Sequence, residues 1–134
     1  MPEGALGHYT HEKSPVGCAA ALATLDVIEE ENLLAAARDL GRHGLERLAV
    51  MARRHGWISD VRGLGLYFGV EIGQRGEPDG IAAAERLLYR CLEAGLSFKL
   101  GGDNVITLCP PLTIVRPELD RALDILEGAV AALH

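Results

Sequence analysis

Residues 64–72 read Leu64-Gly65-Leu66-Tyr67-Phe68-Gly69-Val70-Glu71-Ile72, with an apolar side chain at every second position. A period of two is the mark of a strand with one buried face. The sequence before it has a different period. Leu33, Ala37, Leu40, Gly44, Leu48, Met51 and His55 recur at helical spacing and predict a helix stopped by Gly56. Gly41 and Gly44 lie inside that helix, where each costs about 1 kcal/mol relative to alanine, so their presence predicts a close backbone contact. Further upstream, Val16, Ala20, Ala23 and Val27 mark an alanine-rich helix. Ser14 is its expected N-cap, Pro15 its first residue, and Glu29-Glu30-Glu31 its acidic end near Asn32.

Downstream of the strand, Asp79 is the expected cap of a helix that carries Ile81, Ala84, Leu88 and Cys91 and stops at Gly95. Leu96 to Lys99 and Val105 to Leu108 predict two short strands around the turn Gly101-Gly102-Asp103-Asn104. After Pro110-Pro111 a last helix is expected, with Pro117 in its first turn and Leu119, Ala122, Leu123, Leu126, Val130 and Leu133 apolar. The order helix, helix, strand, helix, strand, strand, helix predicts an α+β domain. Its short, mainly antiparallel sheet is covered by helices and preceded by a long linking helix. That first helix carries more apolar surface than such a domain needs.

At 134 residues and 49% hydrophobic, the chain can bury one real core. A formal charge of −6 with only 13 Lys+Arg, none clustered, argues against a nucleic-acid surface. No apolar run reaches the roughly 18 residues of a membrane span, and the N-terminus lacks the pattern of a signal peptide. These features predict a cytoplasmic protein. Cys18, Cys91 and Cys109 are too few and too scattered for a disulfide framework or zinc site, and are expected as buried, reduced, small hydrophobes. His43, His55 and His134 read as surface or helix-end residues, and Arg62 as a structural ion-pairing residue.

Residues 1–13 are Gly-rich and aperiodic, hence loop, and they run into the helix start through Thr10-His11-Glu12-Lys13-Ser14-Pro15. Free N–H groups and the positive dipole end make such a start an anion site, to which the Thr10 hydroxyl can add. His8-x-x-His11-Glu12 lacks a third ligand group and does not read as a metal site. Gly101-Gly102 joins two strands and precedes no helix, so it is not a nucleotide loop.

Several pieces in this order resemble the C-terminal part of the class III, fold type I, pyridoxal-phosphate-dependent aminotransferases. They are Thr10 to Pro15, the Ala-rich helix Cys18 to Ile28, Val61-Arg62-Gly63-Leu64-Gly65-Leu66, Asn104 to Leu112, and Leu119-Asp120. The resemblance implies residues 1–30 as the end of the large cofactor-binding domain and residues 31–134 as the small C-terminal domain. It implies pyridoxal 5'-phosphate as cofactor, a homodimer sharing its active site, and Thr10 as the ligand lent to the cofactor phosphate of the neighbouring subunit. The implied reaction moves an amino group between an amine or amino acid and a keto acid. The Schiff-base lysine is expected outside this chain, so the segment alone is expected to be inactive.

Three departures from the family pattern bear on function. Ser14 replaces an asparagine, which is equivalent for capping. His11-Glu12-Lys13 replaces a small, Gly-rich stretch. Thr107 stands where the family often has an arginine that pairs with a carboxylate, a role that needs a charged planar fork. Thr107 and, as a substitute cation, Lys99 on the preceding strand are therefore the expected substrate-side residues. The acidic group of the substrate is expected to be held elsewhere or not to be a carboxylate. Two alternatives follow: a lyase of the same family acting on a phosphorylated or phosphonate amine, and a non-catalytic α+β interaction domain.

Overall fold

The computed structural model describes residues 14–73, 80–102 and 104–133. Its elements are α1 (Pro15–Glu30), α2 (Leu33–Arg54), β1 (Ile58–Leu64), β2 (Tyr67–Ile72), α3 (Gly80–Glu93), β3 (Lys99–Gly101), β4 (Val105–Leu108) and α4 (Arg116–Ala131). The strands form one antiparallel sheet in the order β1-β2-β4-β3. The α+β class is thus as the sequence predicts. The chain divides into two compact units between Leu34 and Ala35.

In the first unit, Ser14 occupies the N-cap position of α1 with extended backbone and Pro15 stands in its first turn. The Ser14 hydroxyl makes no capping hydrogen bond, and no residue of α1 is buried. Past the helix end, Asn32 turns the chain through a left-handed φ of 51°.

The second unit corrects the reading of residues 64–72. They are not one strand but the corner of a hairpin, with β1 and β2 joined by Gly65-Leu66 and with Leu64 paired to Tyr67. Gly65 takes φ +54°, the left-handed value that a tight hairpin turn requires at its first central residue. Cross-strand partners share a face of the sheet. Leu64 therefore sits beside exposed Tyr67, itself 87% exposed, although the alternation had placed it with buried Phe68. Polar β1, at the edge of the sheet, has burial at Ile58 and almost nowhere else, so it left no periodic signal of its own.

Phe68, Val70 and Ile72 of β2 and Ile106 and Leu108 of β4 face one core. Its other side is built from Ala37, Leu40, Leu48 and Met51 of α2, from α3, and from Leu119, Leu123, Leu126 and Val130 of α4. On α3 the buried stripe is Gly80, Ala83, Ala84, Leu87 and Cys91. Ile81, expected on that stripe, is exposed. The helix closes as the sequence predicts, by a Schellman motif: Leu96 N–H donates to Cys91 O at 2.8 Å and Gly95 N–H to Leu92 O at 3.0 Å, with Gly95 at φ +90°. The expected cap Asp79 lies outside the described residues.

The glycines of α2 explain themselves. A Cβ on Gly41 would lie 2.3 Å from the carbonyl oxygen of Gly65, and one on Gly44 would lie 2.6 Å from the ring of Phe68. The helix backbone thus rests directly on the hairpin turn and on the largest core side chain.

Ion pairs tie α2 to α4. Arg47 donates to Asp120 Oδ1 at 3.0 Å and to Asp124 Oδ1 at 2.7 Å, and His43 Nε2 lies 2.6 Å from Asp120 Oδ1. An ionised carboxylate can only accept, so Nε2 carries the shared proton. His43 is therefore part of this joint, where the sequence suggested an ordinary surface residue. The hydrogen bonds from His43 and then Arg47 hold the Asp120 carboxyl below its usual range.

Two outcomes are expected. Gly41→Ala gains at most about 1 kcal/mol of helix propensity but pushes a methyl into backbone that cannot yield. A net destabilisation of about 2 kcal/mol in urea denaturation is expected, whereas Gly56→Ala, with open space around it, shifts the midpoint by no more than a few tenths. For Asp120→Asn a loss of about 1 kcal/mol is expected at neutral pH. A depressed carboxylate stabilises above its unfolded pKa, near 4, and loses that contribution as pH falls through its lower folded value. Wild type and variant should therefore converge in acid, and a constant gap down to about pH 2 would contradict this account.

Candidate functional site

The second face of the sheet carries the candidate site residues Lys99 and Thr107. The registers Arg62↔Gly69, Gly69↔Thr107 and Lys99↔Thr107 set Arg62, Gly69, Thr107 and Lys99 in one row across β1, β2, β4 and β3. The neighbouring row, Val61, Val70, Ile106 and Leu100, points the other way, with Val70 and Ile106 buried. A Cβ on Gly69 would touch Arg62 at 3.5 Å and Val105 at 3.7 Å, which places these side chains on the same face.

The two cations at the ends of this row differ in kind. Arg62 donates to Asp60 and, at 3.0 Å, to Glu71, and these two bonds raise its pKa. Its charge is spent on a structural cluster, in line with the sequence reading. Among the described residues no carboxylate pairs with Lys99.

Lys99 and Thr107 are thus brought together. They share a hollow of about 470 Å³ with Tyr67, Ser97, Phe98 and Cys109. Thr107 is half-buried and Lys99 exposed. A Cβ on Gly101 would lie 3.1 Å from Thr107 Oγ1, so the glycine keeps that hydroxyl open. A second, mostly apolar hollow of about 280 Å³ shares Ser97 and Cys109 and runs along Pro110, Pro111, Ile114 and Leu119.

Two of the three cysteines depart from expectation: Cys18 and Cys109 are exposed, and only Cys91 is buried. Both exposed thiols lie on segments that look apolar in sequence, but α1 buries nothing and Cys109 follows the last residue of β4 on its open side. Burial pushes the Cys91 thiol up to about 11, which leaves it inert. Among the described residues no cluster of His, Cys, Asp and Glu could hold a metal ion, and no helix is long and apolar enough to cross a membrane.

Thr10, His11, Glu12 and Lys13 lie outside the described residues. The helix they lead into does begin as expected, and its first intrahelical bond runs from Cys18 N–H to Ser14 O at 3.0 Å. Sequence reasoning did not find the row that joins Arg62 to Lys99. The signal was the glycine at position 69, flanked by core residues, but its meaning depended on a strand pairing that a linear reading does not give.

The description Aminotransferase class-III fits residues 3–130. The chain is 50% identical over 128 residues to the (R)-1-hydroxy-2-aminoethylphosphonate ammonia-lyase of Vibrio splendidus, a match covering 94% of this chain and 27% of that protein. Its fold superposes with a TM-score of 0.85 on an Arthrobacter phospholyase in complex with phosphoethanolamine, at 35% identity over 90% of this chain and 29% of the other. It also superposes on the PLP-bound form of an amine transaminase from an uncultivated Pseudomonas species, with a TM-score of 0.84 and 32% identity over 95% of this chain and 30% of the other. The chain spans under a third of the length of each of these proteins. With a family match over nearly all its residues and a fold that follows the same family's solved structures, this chain belongs to the class III aminotransferases.

Proposed function

We propose that this chain is the C-terminal segment of a pyridoxal-phosphate-dependent aminotransferase that moves an amino group between an amine or amino acid and a keto acid. The observation that carries the reading is the superposition of its fold, over 95% of its length, on a PLP-bound amine transaminase. Residues 1–30 would end the large domain and residues 31–134 would form the small one. The working form would be a cytoplasmic homodimer with a shared active site. Pyridoxal phosphate, when bound, supplies the electron sink for chemistry at the amine carbon.

In this chain the residue suited to the cofactor phosphate is Thr10, just before a helix start whose Ser14 hydroxyl leaves the first N–H groups unclaimed. Neither Lys13 nor Lys99 stands in the context expected of the lysine that carries the cofactor, so on this reading that lysine belongs to another part of the protein. The sheet's open face, with Lys99 and Thr107, would meet the substrate.

A second reading, an ammonia-releasing lyase on a phosphonate or phosphorylated amine, is favoured by the 50% identical relative and by the phospholyase whose fold this chain follows. The two are separated in the full-length protein loaded with cofactor. An aminotransferase consumes amine only when a keto acid is present, in equal amounts. Release of ammonia without a keto acid would replace it with the lyase. Absence of the cofactor's visible absorbance band would sink both in favour of an interaction domain. Thr10→Ala should weaken cofactor binding by about 1.5–3 kcal/mol, roughly ten- to hundredfold, as for loss of one hydrogen bond to a charged group.

A further inference from the structure

The hollow at the β3 end of the sheet has an unusual composition for a place that meets substrate. Among the described residues its lining contains one charged side chain, Lys99, no carboxylate, two aliphatic hydroxyls on Ser97 and Thr107, the thiol of Cys109, and the aromatic rings of Tyr67 and Phe98. A charge opposite to that of Lys99 is what the lining lacks, and among the described residues nothing supplies it. Arginine at a carboxylate site offers a planar fork that matches two coplanar oxygens. A lysine ammonium offers three donors on one point charge. With two hydroxyls beside it, the set matches the three diverging oxygens of a tetrahedral oxyanion better than a flat carboxylate.

The backbone keeps the place open. Gly101 stands opposite Val105, and a Cβ on it would fall 3.1 Å from Thr107 Oγ1, a spacing tighter than ordinary van der Waals contact. At the other end of the same row Arg62 is already held by Asp60 and Glu71, so it does not compete for the anion. The rings of Tyr67 and Phe98 line the same hollow and give it apolar walls beside the lysine.

We propose that this hollow seats a terminal phosphoryl group on the amine substrate, with Lys99 supplying the charge and Thr107 and Ser97 donating hydroxyl hydrogen bonds. This rests on the reading of the chain as part of a cofactor-dependent, amine-processing enzyme and names the substrate class of that site. The phosphoryl group can be a phosphonate or a phosphate monoester, since both present the same three oxygens.

The experiment uses the full-length protein loaded with pyridoxal phosphate and compares 2-aminoethylphosphonate, phosphoethanolamine and 3-aminopropanoate as substrates. Wild type should prefer one of the two phosphoryl amines over the carboxylate, and which of the two identifies the source. Lys99→Gln should raise KM for that substrate at least tenfold and KM for 3-aminopropanoate by several-fold less, with KM moving more than kcat and the cofactor's absorbance band retained. Lys99→Arg should recover part of the loss, and Gly101→Ala should raise KM in the same selective way. Equal treatment of phosphoryl and carboxylate amines by wild type, or equal loss of both in Lys99→Gln, overturns the proposal.

A binding readout separates this proposal from the functional one. Methylphosphonate should broaden in its phosphorus resonance on addition of wild-type protein and not on addition of Lys99→Gln. If the absorbance band is missing yet this difference is seen, the functional reading fails and the hollow stands. If the band is present and both proteins broaden the signal alike, the hollow fails and the functional reading stands.

Discussion

The contact on which the second unit depends is the approach of the α2 backbone to the β1–β2 turn. Gly41 lies against the carbonyl of Gly65, and three residues later Gly44 lies against the ring of Phe68. Any side chain at either position would lift the helix from the sheet. Two interior glycines cost about 2 kcal/mol of helix propensity together. The contact returns this as full burial of Phe68 and close packing of Leu48 and Met51, each of which buries about 1.5–3 kcal/mol of apolar surface. The sign of the trade is settled by those magnitudes.

The same contact determines where ionic partners can sit. With α2 fixed on the turn, its polar side faces α4, and Arg47 reaches both Asp120 and Asp124. Exposed pairs of this kind contribute little one at a time. Here one guanidinium serves two carboxylates, one of which also accepts from His43, so the arrangement specifies the angle between the helices more than it adds stability. Leu119, next to Asp120, is buried in the core, so adjacent residues of α4 anchor it by two different forces.

Much of this was legible in the linear sequence. The helical stripe of α2, the stop at Gly95 and the apolar face of α4 follow from spacing alone, because helix periodicity is local. The hairpin corner was not legible: Leu66, in the turn, is buried, so the alternation of apolar residues ran on past the reversal of the chain. Parity then misassigned Leu64. Edge strand β1 escaped because its polar residues are placed by Arg62, which pairs with Asp60 on its own strand and with Glu71 on the next, a pattern that leaves no apolar periodicity along the chain. For the candidate site, Lys99 and Thr107 were legible as residue types. Their shared hollow was not, since it arises from the pairing of β3 with β4.

That pairing explains why the site can be polar without being loose. The positions of Lys99 and Thr107 are not fixed by bonds between them but by their neighbours in the ladder. Ile106 and Leu108 point into the core on either side of Thr107, and Leu100 packs against that core beside Lys99. A slip of one residue would bury Thr107 and expose Ile106, an exchange the apolar core forbids. The buried face therefore holds the open face in register, and the residues on the open face are free to be chosen for charge and shape. Lys99 has no carboxylate partner among the described residues, so it is not an ion pair but the core behind the strand that sets its position.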